Sequence, residues 1–512
     1  MSFNSEAFEV QGGRKLSGEL PMFIGGALVH SLSGVTASLV NPATGRELTR
    51  TQEACLEDVV SAVDVASQVF ISGIWRNEPR KLRAEMLHHI ADRIHEFREQ
   101  IYSLETLNNG RPIRETRAQL SILGDYFRYA ASVLLTHRDD VIPSDGGHHV
   151  YTNRTPIGVC AIITPFNHPM LILGQSLPFA LAAGNSVIVK PSELTPITTV
   201  FLAFLASDAG LPAGVFNVIT GGPEVSKALV SDKRVAKVNF TGGNRGGRAI
   251  AELTSTRSIK LTTELGGHSP VVVFEDADME SAVNGVTFAS FIASGQTCIA
   301  ASRVLVQASI YEEFLTRLSS KVKSLRVGDP TLLETDVGPV ISAASRDKVL
   351  RVVERAVLSG ATLVTGGEAV PGEGDCVDGF FLDPVIIAQV DPTMDIVSEE
   401  VFGPLIVIMR FNDEKEAIAL ANESEFALGA AVWTSDIGRG HRVAAAIESG
   451  ICWVNDHHRL EVSVPWGGYR ESGVGKEAGL EAFKDFTNQR VVIVRTERQS
   501  TDWYTSGDLR LN

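Results

Sequence analysis

The chain has 512 residues, 44% of them apolar and 21% charged, an ordinary soluble composition long enough for two or three domains at about 100–200 residues each. A net charge of −15 argues against a nucleic-acid or anionic-membrane partner. The acidic start lacks a signal-peptide core, no run reaches the ~18 apolar residues that span a bilayer, and Cys55, Cys160, Cys298, Cys376 and Cys452 are scattered without close pairs; this fits a reducing cytoplasm and neither a disulfide framework nor a zinc or other metal site.

Apolar positions recur at helical spacing through 56–72 and 81–107, which predicts two long helices. Residues 139–152 are polar. From 158 the texture becomes short apolar runs alternating with helical patterns. Strands are expected at 158–163, 187–190, 216–219 and 238–240, and helices at 176–183, 198–209, 224–230 and 248–254. Such alternation predicts an α/β fold with a Rossmann-type parallel sheet, which binds a dinucleotide at the carboxyl ends of its strands. A second α/β region starts with a strand at 270–274, includes 401–411, and runs to about 468, with a glycine hinge expected near 265–268. Residues 489–496 read as an exposed strand, open to pairing with another chain or to service as an intramolecular edge. The expected organisation is a dinucleotide-binding domain over 1–138 and 153–266, a catalytic domain over 267–468, an arm from 139–152 and 484–500, and a loose tail over 501–512.

Three residues carry a possible chemistry. Cys298, after Gly295-Gln296-Thr297, is a candidate nucleophile once its thiol loses a proton. Glu264, before Leu265-Gly266-Gly267, can activate water to release what the sulfur captures. Asn167, between Phe166 and His168, offers an amide N–H to a developing oxyanion. Each alone has a plainer reading, respectively a small buried hydrophobe, a turn carboxylate and a turn-former.

Their order and neighbours resemble the aldehyde dehydrogenase superfamily over about residues 20–495. The motifs are Thr164-Pro165-Phe166-Asn167, Val189-Lys190-Pro191-Ser192-Glu193, Asn239-Phe240-Thr241-Gly242-Gly243, Glu264-Leu265-Gly266-Gly267, Gly295-Gln296-Thr297-Cys298, Glu399-Glu400-Val401-Phe402-Gly403-Pro404 and Pro465-Trp466-Gly467-Gly468. The resemblance implies NAD-dependent oxidation of an aldehyde to its acid through a thiohemiacetal and thioester on Cys298. Asn167 and the Cys298 N–H would face the oxyanion, a kind of donor whose loss costs ~10²–10³ in rate. Glu264 implies hydrolysis and not transfer to coenzyme A. The resemblance also implies self-association as a dimer or tetramer, with the arm pairing between subunits.

For the cofactor it implies Ile163, Pro165, Phe166 and Leu265 along the site, and Phe240, Gly242 and Gly243 near the pyrophosphate. Lys190 and Glu193 would meet the adenosine ribose, and Glu400 with Phe402 the nicotinamide riboside. A carboxylate at Glu193 repels a 2′-phosphate, which favours NAD over NADP. The sequence departs from the family at Gly243, where a small hydroxyl residue is usual, at His268, where lysine is common, and at Gln175, where a bulky aromatic is common. Glu477 matches a position where many relatives carry a carboxylate, read either as a proton relay or as a helix-start residue.

Substrate-side candidates are Gln175, Thr297, Arg459 and Trp466. Arg459 in Asp456-His457-His458-Arg459 suggests a semialdehyde acid held by its carboxylate, against a solvated loop in which Arg459 pairs with Glu461 or Asp456. Phe166, Phe291 and Trp466 keep an aromatic or hydrophobic aldehyde open. A thiol esterase, using Cys298 and Glu264 without nicotinamide, and a non-catalytic binding protein are the readings from other classes.

Overall fold

The computed structural model describes residues 8–11, 15–16, 18–144, 147–496 and 504. Apart from Tyr504, the expected tail lies outside them, as do 145–146 and 497–500 of the expected arm.

An eight-stranded sheet and a seven-stranded sheet organise most of the chain. At the centre of the first, Val159–Ile163 is buried along its whole length and pairs in parallel with Ser186–Lys190 on one side and Val235–Thr241 on the other. Phe216–Val218 extends the sheet beyond Ser186–Lys190, and Lys260–Glu264 extends it beyond Val235–Thr241. The chain thus winds outward in both directions from one strand. That topology leaves a crevice at the carboxyl ends of the two strands where the winding reverses. The helices Pro169–Ala183 and Ile197–Asp208 are apolar and almost wholly buried, as helices between a sheet and further layers must be.

The second sheet is built from Pro270–Val273, Arg303–Gln307, Val385–Ala388, Leu405–Phe411, Gly429–Trp433 and Ile451–Val454 in parallel, with Thr362–Thr365 antiparallel at one edge. A third sheet pairs Thr487–Arg495 with His148–Pro156 in antiparallel register, and Val141–Ile142 with the latter. The short strand Gly473–Val474 returns to the first sheet and pairs antiparallel with Lys260–Glu264, placing Gly473 opposite Glu264.

Several expected elements differ in extent. The helix expected over 81–107 is two helices, Arg80–Glu96 and Arg98–Asn109, because Phe97 leaves helical geometry and turns its ring edge-on to Phe201 at 6.0 Å. The helix expected at 176–183 begins at Pro169, since proline at a first helical position loses no hydrogen bond. Within 401–411, placed in the second α/β region, a strand runs over Leu405–Phe411, and ahead of it Phe402 has a φ of 58°. All five cysteines are free. Among the described residues no helix is long and apolar enough to cross a membrane, and no cluster of three or more His, Cys, Asp or Glu side chains could hold a metal ion.

Candidate active site

A cavity of about 580 Å³ opens where the winding of the first sheet reverses. Every residue expected at the cofactor lines it: Ile163, Pro165 and Phe166 after the central strand, Lys190 and Glu193 after its neighbour, Phe240, Gly242 and Gly243 after Val235–Thr241, then Leu265, Glu400 and Phe402. The helix Asn244–Ser255 starts at this cavity, and no side chain caps its N-terminus. Its free N–H groups and positive dipole end suit an anion such as a pyrophosphate. Lys190 is buried, and its ammonium lies 3.4 Å from the half-exposed Glu193 carboxylate. Lys348, which no motif marked, donates to the Glu400 carbonyl at 2.8 Å, while a Glu400 carboxylate oxygen accepts from the Gly267 N–H at 3.0 Å. The adjacent Glu399 instead pairs with Arg355 at the surface. The helix face Ala249, Ile250 and Leu253 also lines the cavity. Its i, i+1, i+4 spacing was readable as an apolar stripe, though not as a cofactor wall.

Asn167 and Cys298 line the same cavity. The Asn167 side-chain amide donates to the Gln296 carbonyl at 2.8 Å, which ties it to the segment that carries the cysteine, and the Asn167 backbone carbonyl accepts from Asn109 at 3.2 Å. That segment follows the helix Met279–Phe291 through three successive positive φ angles, 52° at Ala293, 54° at Ser294 and 71° at Gly295. Alanine and serine pay for this conformation, so it needs outside support. Glu115 accepts from the Ala293 N–H at 3.0 Å, Ser294 donates to the Gly338 carbonyl at 2.8 Å, and the Gln296 side chain accepts from the Ile341 N–H at 2.9 Å. Buried Arg111 in turn holds Glu115 at 2.7 Å. Gly267 has its own reason to lack a side chain: a Cβ there would lie 2.1 Å from the Cys298 carbonyl oxygen.

Burial, reinforced by the Glu264 and Glu400 carboxylates, pushes the Cys298 thiol up to about 12. The free protein therefore holds a neutral thiol, not a standing thiolate. Glu264 is buried at the end of its strand with neither carboxylate oxygen hydrogen-bonded to a side chain. Desolvation, then the nearby Glu477, raises it well above the ordinary carboxylate value, with Lys476 opposing. Gly467 comes so close that a Cβ would lie 2.3 Å from the Glu264 carboxylate. Glu477 lies ahead of the helix Gly479–Asp485, buried, with Asn239 donating to it at 2.5 Å and Thr241 at 3.3 Å; burial pushes it up to about 7. The site thus holds two adjacent carboxyl groups with unequal surroundings, an arrangement that separates their proton affinities.

Gln175, Thr297, Arg459 and Trp466 do not line this cavity. Gln175, Thr297 and Trp466 are buried. Arg459 is largely exposed, its guanidinium 2.9 Å from Glu461, which is the solvated-loop arrangement and leaves it turned to a surface partner. Its neighbours turn inward. His457 is buried, stacks on Trp453 at 4.7 Å and lies Nδ1 to Nδ1 2.8 Å from His458. His168 is also buried, its Nδ1 without a partner, and burial with the nearby Arg111 and His458 drives it well below the ordinary imidazole value. His268 donates to or accepts from Ser302 at 2.8 Å and is pushed down to about 3 by burial, so it brings no charge to the position.

The sequence profile of the aldehyde dehydrogenase family matches residues 29–492. Betaine aldehyde dehydrogenase of Brucella anthropi is 38% identical over 473 residues, covering 92% of this chain and 96% of that protein. Betaine aldehyde dehydrogenase of Bacillus subtilis is 36% identical, covering 95% and 99%. The crystal structure of betaine aldehyde dehydrogenase from Staphylococcus aureus in complex with NAD+ superposes with a TM-score of 0.92 at 35% identity, over 95% of this chain and 97% of that one. The chain belongs to the aldehyde dehydrogenase family.

Proposed function

We propose that the protein oxidises a small aldehyde to its carboxylic acid with NAD, through a covalent thioester on Cys298. The observation that carries this is a single cavity lined by Cys298 and Asn167 and also by an uncapped helix N-terminus and the Lys190–Glu193 pair. Bound NAD supplies the hydride acceptor. The Glu193 carboxylate accepts from ribose hydroxyls and opposes a 2′-phosphate, so NADP is the poorer cofactor.

The Cys298 sulfur bonds to the aldehyde carbon after its proton passes to a carboxylate, for which Glu264 is the closest in effect. The carbonyl oxygen becomes an oxyanion facing the Cys298 N–H and the second N–H of the Asn167 amide, whose first is held by Gln296. Loss of hydride from that carbon leaves the thioester. Once Glu264 has given up the thiol proton, its carboxylate takes a proton from water, the water oxygen attacks the thioester carbon, and the sulfur leaves as the thiolate. We assign the onward exchange of that proton to Glu477, whose charge acts on Glu264.

A carboxylate-bearing semialdehyde rested on Arg459, and the Arg459–Glu461 pairing weakens that support. A second reading, betaine aldehyde, follows from the relatives' names. A quaternary ammonium is held by open aromatic faces and anionic groups. The residues around Asn167 and His168 include the Arg111 guanidinium and His458, and the Trp453 face is covered by His457.

Reduction of NAD and of NADP should be followed with aliphatic, aromatic, hydroxylated, carboxylate-bearing and betaine aldehydes. Turnover with NAD that disappears in Cys298→Ala is the expected result. Wild-type rates in Cys298→Ala would overturn the covalent mechanism.

A further inference from the structure

The turn Asn109-Gly110-Arg111 ends the helix Arg98–Asn109 and grips both halves of the site from behind, without lining the cavity. All three residues are buried. The Asn109 side-chain N–H donates to the Asn167 backbone carbonyl at 3.2 Å, and its oxygen accepts from the Arg111 N–H at 3.1 Å. Gly110 has a φ of 80° and is wedged so tightly that a Cβ would lie 2.7 Å from Pro339 and 2.9 Å from Pro42. On the other side, a Cβ on Gly338 would lie 2.0 Å from the Gly110 carbonyl oxygen. The Gly338 carbonyl accepts from Ser294, in the segment that leads to Cys298, at 2.8 Å.

Arg111 completes the grip in three directions. Its Nε donates to Glu115 at 2.7 Å and its Nη2 to the Gln119 side chain. Its Nη1 lies 3.6 Å from a Glu105 carboxylate oxygen, and neither of those two atoms has a hydrogen-bond partner. Glu115 connects Arg111 to the nucleophile side, because it accepts from the Ala293 N–H at 3.0 Å. Glu105 connects it to the other side. It accepts from Thr198 at 3.1 Å, and the N–H of Met170, just after Asn167, also favours its charge. Burial raises Glu105 to about 7 and Arg111 opposes this, so cation and carboxylate hold each other's charge. A guanidinium serves these directions together through its planar fork, which a lysine ammonium does not have.

We propose that Arg111 is a positioning residue that aligns the Cys298 N–H with the free N–H of the Asn167 amide, so that both meet one oxyanion. This rests on the covalent reading of Cys298 and deepens it. The two donors come from different elements. Asn167 precedes the helix Pro169–Ala183, and Cys298 follows the helix Met279–Phe291. Their direct tie is one hydrogen bond, from Asn167 to the Gln296 carbonyl. One bond leaves a hinge, whereas oxyanion stabilisation needs both donors within about 2.7–3.1 Å of the oxygen. The Arg111 turn adds further fixings, on the Asn167 backbone and on Ala293 and Ser294. Arg111 bonds to neither donor, and the charges that move the Cys298 thiol are those of Glu264, Glu400 and Glu477. Its effect is therefore on donor alignment and not on the sulfur's proton.

The test compares two reactions of Cys298 in the full-length wild type, Arg111→Lys and Arg111→Met, each held well below its melting temperature. Alkylation by iodoacetamide displaces iodide at a saturated carbon and forms no oxyanion. Acylation by p-nitrophenyl acetate forms one and needs no NAD. The sulfur bonds to the carbonyl carbon, its proton passes to Glu264, and p-nitrophenolate leaves. The acylation rate constant should fall about 10–100-fold in both variants, a part of the ~10²–10³ that loss of a whole donor costs. Alkylation should stay within about twofold of the wild type, because it follows thiolate fraction and access alone. In aldehyde oxidation the loss should appear in kcat, with NAD affinity by fluorescence titration unchanged. Asn109→Ala leaves Arg111 and both carboxylates in place, and it should show the same split at smaller size. Wild-type acylation in both Arg111 variants overturns the proposal. An equal loss in acylation and alkylation also overturns it, because that is general displacement of the cysteine segment. If the Arg111 variants do not fold, the acylation-to-alkylation ratio in Asn109→Ala decides, and an unchanged ratio overturns the proposal. A wild type that oxidises aldehydes while its variants keep the ratio sinks the proposal alone. A wild-type Cys298 that reacts with neither ester nor aldehyde sinks the covalent reading, and the proposal with it.

Discussion

Glu264 and Glu477 show how much a single proton decides at this site. Glu264 has no side-chain partner on either oxygen, and both groups are raised by burial. A general base works only when ionised, so thioester hydrolysis should slow as pH falls through the raised Glu264 value, while the Cys298 thiol sets its own limit from above. In Glu264→Gln the capture and oxidation half should survive long enough to release one equivalent of NADH, with the steady state reduced by ~10²–10⁴. Rapid-mixing absorbance and intact-protein mass spectrometry of the acyl adduct check this; an unchanged steady state would place water activation elsewhere. Glu477 yields a stability prediction. Its folded value of about 7 exceeds the unfolded one, so its contribution is fully present below the unfolded value and is lost as pH rises through 7. Glu477→Gln keeps the acceptor for Asn239 and cannot ionise. It should match the wild type in thermal stability near pH 5 and exceed it near pH 8, by an amount on the order of 2–3 kcal/mol. Equal melting curves at both pH values would show that Glu477 finds compensation in the folded state.

The Cys298 segment is an element defined by support from elsewhere, since its positive φ angles are not ones that alanine and serine choose. Glu115→Ala would strip the Ala293 N–H and the Arg111 guanidinium of a buried partner together. The expected cost is about 1–3 kcal/mol or more, with kcat reduced below what the loss of stability explains. Denaturant titration and initial rates on the same preparation separate the effects. The same element shows where sequence reading stopped. Strands of the first sheet announced themselves as apolar runs, and Asn167, Glu264 and Cys298 stood in recognisable motifs. Nothing marked Glu115 or Lys348, because their roles come from partners some 50 to 180 positions away, Glu400 and Ala293. Pro169 went unread as a helix start, so the buried helix it opens was expected only from 176. Arg459 looked like an anchor in a string of letters, but side-chain direction, which a sequence does not carry, gives it to Glu461. The neighbouring imidazoles point the other way for the same reason.

At the scale of the whole molecule, Thr487–Arg495 forms the outer strand of its three-stranded sheet, with Val491, Ile493 and Val494 exposed. A long apolar edge of this kind is a site for pairing between chains unless it is covered. Ile493→Glu should shift the protein to a smaller species in light scattering at micromolar concentration, and an unchanged mass would remove the arm from the interface. The return of Gly473–Val474 to the first sheet has a consequence in time. The strand Lys260–Glu264 emerges from the ribosome long before its antiparallel neighbour exists. Gly467, which packs against the Glu264 carboxylate, and Glu477, which tunes it, arrive with that late segment. The surroundings of Glu264 are therefore complete only once the segment from Gly467 to Glu477 docks, a long-range closure of the slow kind. Enclosure of the Glu264 carboxylate thus depends on chain contacts more than 200 positions away in sequence.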